Sequence, residues 1–329
     1  MERRDIDVAQ SNPDIEGSVQ PIRIVAAKKE SFLKYFIKNK WLYIFLIPGL
    51  LYFLIFKYAP MFGIVIAFKQ LSLAKGIWGS EWIGLANFET LFSSAHFIRV
   101  LRNSILLSVY QIVFGFPAPI ILALMLNEVR QMAFKRISQT ILYLPHFISW
   151  VVLAGIVINF LSPTDGIANQ IVTAFGGEPI KFLQEPQYFR TIIVSAEIWK
   201  GIGWGTIIYL AAMTGIDPTL YESAKIDGAS RMQRILYITI PGIATTVVIM
   251  LLLSLGNILD NGFEQVFLLY NPVTYETGDI FETYTYRIGL QDGRLSYATA
   301  VGLFKSVVGF ILIISANYAA RKISGKSIW

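Results

Sequence analysis

An all-α polytopic membrane protein with six transmembrane helices is what this sequence predicts, and three observations predict it. Hydrophobic residues make up 54% of the 329 and charged residues only 15%, with a mean hydropathy of +0.55; soluble domains average about 45–50% and about 25%. Six stretches reach the length of about 20 mostly apolar residues that a helix needs to cross a hydrocarbon core of roughly 30 Å. Lysine and arginine crowd alternate connections between them. The same composition excludes a disordered chain, which needs the opposite balance. The absence of cysteine excludes disulfides, zinc–thiolate centres and cysteine nucleophiles. Two histidines, His96 and His146, are too few for a histidine-built metal centre.

In chain order the expected spans are residues 41–68, 103–126, 137–161, 189–214, 241–259 and 297–319. Runs such as TTVVIMLLLSLG are continuously apolar, which suits helices; barrel strands are shorter and alternate. In the first segment, Lys57 with Pro60 reads as a break or kink rather than a binding site. Cytoplasmic connections carry the excess of Lys and Arg. Seventeen fall before the first span, in the 2–3 and 4–5 connections (Arg130, Lys135, Arg136; Lys225, Arg231, Arg234) and in the tail; eight fall on the other side. Both termini are therefore expected in the cytoplasm. This gives a basic segment at 1–40, a membrane domain at 41–320 and a tail at 321–329. A cleaved signal peptide is not expected, because Pro48-Gly49 leads into more apolar residues. The net charge of +6 suits anionic lipid better than nucleic acid, since no arginine-rich binding face appears.

The outer connections 69–102, 162–188 and 260–296 are long and rich in Gly, Pro and aromatic residues, and there is no internal repeat of the kind many secondary transporters show. The inner connection 215–240 carries its own helix signals. Asp217 is a good N-cap and Pro218 suits the first helical position. A short helix follows through Leu220, Tyr221, Ala224 and Lys225, and Gly228 can take the left-handed conformation that ends it. Ser230 and Gln233 form a capping box for a second helix through Ile235 and Leu236, and Pro241 opens the fifth span. Two readings stand at this point: an amphipathic interfacial loop, or a rigid docking element for a cytoplasmic protein.

This loop resembles the EAA motif of ABC importer permeases. Glu222, Ser223, Ala224, Asp227, Gly228, Ile238, Ile240 and Pro241 stand in the matching places, with Ser223 for the middle alanine and Ile240 for the usual leucine. The resemblance implies a type I ABC importer permease fold, in which the first short helix is a coupling helix seated on an ATP-hydrolysing subunit. Residues 220–228 would then be the contact surface, with Glu222 the main polar anchor. WIGLANFETLF at 82–92, LRNS at 101–104, YLPHFISWVVLAGIVINFL at 143–161 and EIWKGIGWGTIIYLAAMTGI at 197–216 are similar to segments of carbohydrate-importing permeases. LIPGLLYFLIFKYAPMFGIVIAFK at 46–69 and Trp329 resemble the oligosaccharide and polysaccharide-fragment branch. Maltose-type permeases work as two permease subunits with an ATPase dimer and an external solute-binding protein, in the bacterial inner membrane. The resemblance implies those partners here, an oligosaccharide substrate, and ATP and Mg bound only in the ATPase.

Polar groups inside spans are costly and tend to face a bundle interior or wet cavity. On that ground the substrate-path candidates are Glu197, Trp199, Lys200, Trp204, Asn257, Asp260 and Lys305, with Asn261 and Asn317 nearby. Glu197 and Lys200, three apart, can pair on one face, and the tryptophans offer platforms for sugar rings. The alternative is that the pair is structural and the tryptophans form an interfacial belt. Lys200, Lys305 and Arg287 raise an acidic cargo, such as alginate or pectin fragments. His146 admits a proton-relay or a packing role, and His96 has no ligand set near it in sequence. Ser162 and Asp165 lack the elbow and base of a hydrolase, and no phosphate-cradling glycine loop exists. No catalytic or metal site is expected. Competing functions are a permease for another solute, an ion-gradient-driven carrier and an intramembrane enzyme.

Overall fold

The computed structural model describes residues 38–324; the rest of the basic N-terminal segment and the end of the tail lie outside the described residues. The long helices are α1 (Lys40–Phe68), α2 (Ala95–Glu128), α3 (Met132–Phe147), α4 (Trp150–Phe160), α5 (Pro186–Thr214), α6 (Pro218–Ile226), α7 (Arg231–Gly256) and α8 (Leu295–Ser324). Among the described residues, four helices are long and apolar enough to cross a membrane, or five if α3 and α4 form one broken span. The long α5 fails the same test because Arg190, Glu197 and Lys200 dilute its apolar run.

The chain divides into two units, residues 1–61 and 62–329. In the first, the helix from Lys40 to Phe53 is apolar on all sides, with Leu46, Leu50 and Phe53 about half exposed; such a helix matches a lipid solvent.

In the second unit, α5 is the hub, touching α2, α3 and α7 as well as the short helix Tyr275–Gly278. Close approach is built into its sequence: a Cβ on Gly203 would fall 2.0 Å from the Leu142 carbonyl oxygen of α3. Three apolar clusters form the core. One joins Leu91, Phe97, Phe281, Tyr284 and Val301; a second joins Leu107, Phe189, Ile193 and Val266; a third joins Ala123, Tyr209 and Ile243. A two-residue antiparallel pair, β1 (Lys69–Gln70) with β2 (Glu81–Trp82), sets Lys69 opposite Trp82 and stacks Trp82 on Phe68 at 5.8 Å.

Three of the prolines inside the helices follow one pattern. Pro60, Pro117 and Pro241 each stand two residues after a π-turn, at Leu54–Tyr58, Gln111–Gly115 and Ile235–Thr239. In each, the residue before the proline donates its N–H five residues back: Ala59 to Leu54, Phe116 to Gln111, Ile240 to Ile235. A proline cannot donate, and its ring collides with the carbonyl four residues back. The widened turn makes room for that ring and lets the helix run on. Pro241 therefore does not open the fifth helix as expected; α7 starts at Arg231 and passes through it.

The expected third span, 137–161, is also not continuous. It breaks into α3 and α4 at an angle of 105°. Pro145 tightens the end of α3 into a 3-10 turn, Ile148 is extended, and the Ser149 hydroxyl accepts from the Val152 N–H to cap α4. The apolar character of the run conceals both signals.

Candidate functional site

Two features bear on function: the connection from α5 to α7, and a cavity between α2, α5 and α7 that carries several polar groups. The first is held almost wholly by local chemistry. Asp217 caps α6 by accepting from the Thr219 N–H at 2.9 Å, and that bond holds its carboxyl below the usual aspartate value. At the other end Gly228 sits at φ +79°. The Ala229 N–H reaches back to the Ala224 carbonyl at 2.8 Å and Gly228 to Lys225 at 3.2 Å, a Schellman closure that only a residue tolerant of the left-handed region makes cheaply. Ser230 and Gln233 bond reciprocally, 2.7 Å and 3.3 Å, so α7 begins immediately.

One longer contact ties this knuckle to the bundle. The Tyr221 hydroxyl meets the Thr239 hydroxyl of α7 at 2.9 Å, and Thr239 is buried. Tyr221 is thus turned toward α7, and it and Ala224 are half-buried. Leu220, Glu222, Ser223, Ile226, Asp227 and Gly228 are exposed, and Ile226, which sequence motifs did not single out, is 86% exposed. An apolar side chain so placed at the end of a capped helix favours burial against something else. Further along, a Cβ at Gly242, next to Pro241, would lie 2.6 Å from the Ile216 side chain, so the root of the knuckle is tightly packed.

The cavity, about 280 Å³, is lined by Glu197 and Asn257 together with Ser108, Gln111, Tyr209 and Ser254, and floored by Gly201 and Gly205. These two path candidates share one space. The remaining five do not join them. Lys200 does not pair with Glu197: its ammonium donates to the carbonyls of His146 and Ile148 and lies 5.5 Å from the Trp150 ring. Those carbonyls are freed by the break between α3 and α4, so Lys200 staples the break. Trp204 stacks on His146 at 4.5 Å, which gives that histidine a packing partner, and Trp199 lines a separate apolar hollow with Ile156, Phe160 and Tyr188. Neither tryptophan lines the cavity that holds Glu197 and Asn257.

Lys305 of α8 is held by two carboxylates, Asp260 and Glu282. Burial pushes the Glu282 carboxyl up against the opposing pull of Lys305. Asn261 is buried, donating to the Ser104 carbonyl at 3.2 Å and accepting from the Ser108 hydroxyl at 3.1 Å. Arg287 is neutralised by Asp279. Sequence reasoning missed the rest of this weave. Asn103 donates to the carbonyls of Glu276 and Asp279 at 3.0 and 3.2 Å and accepts from Arg190 at 2.9 Å, and Gln265 donates to the Ile193 carbonyl at 2.6 Å. The signal available was polar residues inside apolar runs, but their partners are far away in the chain. Among the described residues, no group of three His, Asp or Glu side chains is disposed to hold a metal.

The profile of the family described as "Binding-protein-dependent transport system inner membrane component" matches residues 115–325. Protein LplB of Bacillus subtilis (strain 168) is 47% identical over 306 residues, covering 93% of this chain and 96% of that protein. The polygalacturonan/rhamnogalacturonan transport system permease protein YteP of the same organism is 45% identical over 317 residues, covering 95% and 99%. Among solved structures, a chain of a bacterial ABC transporter involved in the import of the acidic polysaccharide alginate superposes with a TM-score of 0.84 at 46% identity, covering 90% of this chain and all of that one. A chain of the alginate transporter in complex with an alginate pentasaccharide-bound periplasmic protein also gives 0.84, at 45% identity and 91% coverage. The resemblance to ABC permeases read from residues 215–241 is borne out, and the chain belongs to the family of binding-protein-dependent transport system inner membrane components, the membrane-spanning permease subunits of ABC importers.

Proposed function

We propose that this chain is one permease subunit of an ATP-driven importer of acidic oligosaccharides in a bacterial cytoplasmic membrane. The observation that carries the transport mechanism is the knuckle at 215–241. It is capped at both ends, exposes Leu220, Glu222 and Ile226, and is tied to α7 through Tyr221 and Thr239. A cytoplasmic ATPase dimer, which holds ATP and Mg, grips the exposed face, and the tie passes its movement to α7. A second permease subunit completes the path, and an external solute-binding protein delivers the sugar. The cavity holding Glu197 and Asn257 opens and closes as α2, α5 and α7 shift, so differential contacts in two states become a directional path.

Six crossings with both termini inside fit this arrangement. The 29-residue α5 is about 43 Å long at about 1.5 Å per residue, enough to span the bilayer core. Two of its charges are engaged, Arg190 by Asn103 and Lys200 by backbone carbonyls, and Glu197 lines the cavity. An acidic cargo is supported by the likeness to the alginate and polygalacturonan/rhamnogalacturonan systems. Uptake of labelled trigalacturonate, alginate trisaccharide and maltotriose by cells expressing the whole importer tests the reading. Uptake of the two acidic sugars that resists a protonophore and fails on ATP depletion is expected. Preferential uptake of maltotriose, or uptake that stops with the proton gradient while ATP is kept high, would overturn it. Glu222→Ala with Ile226→Glu should release the ATPase in a pull-down.

A further inference from the structure

We infer that a second cavity, separate from the one between α2, α5 and α7, is a receiving site for a uronate unit of the cargo; this rests on the acidic-oligosaccharide reading. The cavity, about 570 Å³, lies between the start of α2, the connection 272–294 and the start of α8. That volume is in the range of small-molecule sites, roughly 300–1,000 Å³, whereas a docked protein needs a surface of about 800 Å² per partner. In the proposed orientation it faces outward, where sugar arrives.

Its floor is electrically closed. Asp279 is 5% exposed and salt-bridged to Arg287, whose guanidinium lies 4.4 Å from the Tyr275 ring centre. The buried hydroxyls of Tyr284 and Tyr297 meet at 3.2 Å. The rim is different. Arg99 and Arg294 line the cavity without an ion-pair partner among the described residues, and Arg294 is held in place 4.8 Å from the Tyr297 ring centre. Glu276 and Asp292 line it too, equally unpaired.

A rim with both signs selects for a ligand that has both needs. A guanidinium offers a carboxylate two parallel donors, and a carboxylate accepts well from sugar hydroxyls. An acidic peptide would satisfy the arginines and be repelled by Glu276 and Asp292. A neutral sugar would satisfy the carboxylates and leave two cations unmatched. A sugar acid carries one carboxylate and several hydroxyls on one ring, and it satisfies all four groups.

Titration of the full-length chain in lipid nanodiscs with trigalacturonate, alongside maltotriose, tests this. The parent should bind trigalacturonate in preference to maltotriose by at least tenfold. Arg99→Gln with Arg294→Gln should weaken trigalacturonate at least tenfold, Glu276→Gln with Asp292→Asn several-fold, and Lys181→Gln, exposed and outside this cavity, should leave binding unchanged. All the cavity substitutions are on exposed side chains, so folding is not at stake; thermal melting of each variant should match the parent. Unchanged binding in the arginine double variant, equal affinity for maltotriose, or no binding to the parent would overturn the site. If that variant binds normally while cells still import trigalacturonate, the receiving site fails and the import reading stands. Failure of import in the parent sinks the import reading instead.

Discussion

The connection from α5 to α7 and the connection from α7 to α8 are held by opposite means. In the first, nearly every bond joins residues within five of each other: Asp217 to Thr219, Ala229 to Ala224, Ser230 to Gln233. Apart from the packing of Ile216 at its root, a side-chain hydrogen bond from Tyr221 to Thr239 ties it to a long helix. In the second, local bonds such as Asn271 to Thr274 are joined by several that cross the chain. Asn103 reaches residues 276 and 279, Ser104 accepts from the Phe281 N–H at 3.1 Å, and Gln265 reaches Ile193. A segment folded by its own caps and hinged at one point can be moved as a solid piece. A segment laced into α2 and α5 moves only with them. The two ends of this molecule are therefore built for different work, one to be pushed and the other to hold a shape.

The sharpest way to break that contrast is at Asn103. Replacing it with alanine leaves the Glu276 and Asp279 carbonyls and one side of the Arg190 guanidinium without a partner in a buried place. Unsatisfied buried groups cost about 1–3 kcal/mol each and part of that is relieved by relaxation, so a loss of about 2–4 kcal/mol in resistance to denaturant in mild detergent is expected. A variant as stable as the parent would show that the outer segment is not woven in as its bonds imply.

Gly228→Val puts a β-branched residue at φ +79°, costing about 1–2 kcal/mol locally. Because the knuckle is hinged at one point, that strain should reshape the end of α6 without loosening the bundle. Sugar-stimulated ATP hydrolysis should fall at least tenfold while the melting temperature moves by less than in Asn103→Ala. Equal losses of stability in the two variants would erase the distinction between the ends.

These two sites also show what the chain discloses before it is folded. The caps at Asp217, Gly228 and Ser230 are legible because capping depends on neighbours within one turn. The roles of Asn103, Arg190 and Gln265 are not, because their partners are 72 to 176 residues away and nothing local announces them. Lys200 shows the cost of local reasoning: spacing puts it beside Glu197, yet the free carbonyls at the α3–α4 break bind it first. The break itself was signalled by Pro145 and Ser149, but a periodicity argument reads through single punctuating residues in an apolar run.

Tyr221→Phe removes one hydroxyl from the hydrogen bond that joins Tyr221 to Thr239 of α7. A neutral hydrogen bond contributes about 1 kcal/mol, so folding should be nearly unaffected. Coupling should suffer more than stability: ATP hydrolysis continues, but the sugar transported per ATP falls several-fold. Thr239→Val should reproduce the effect, and the double variant should be no worse than either single one, since all three lose the same contact.

The smallest effect expected concerns pH. The bond from Thr219 holds the Asp217 carboxyl below its ordinary value of 3.8, so the charged form is favoured in the folded loop. A depressed carboxyl contributes stability that is present above the unfolded value and lost as pH falls through the folded one. Above about pH 4 the cap of α6 is thus complete, and it weakens only below that. In Asp217→Asn the side chain still accepts from Thr219 but no longer titrates. Hydrogen exchange at the Thr219 and Leu220 amides should therefore quicken below pH 4 in the parent, beyond the intrinsic pH dependence, and not in the variant. The Phe281 amide should show no such difference between the two proteins, because it donates to the Ser104 hydroxyl of α2 and not within the α6 cap. A parallel change there would mean that the two connections are coupled, and that the pushed end and the holding end are one device.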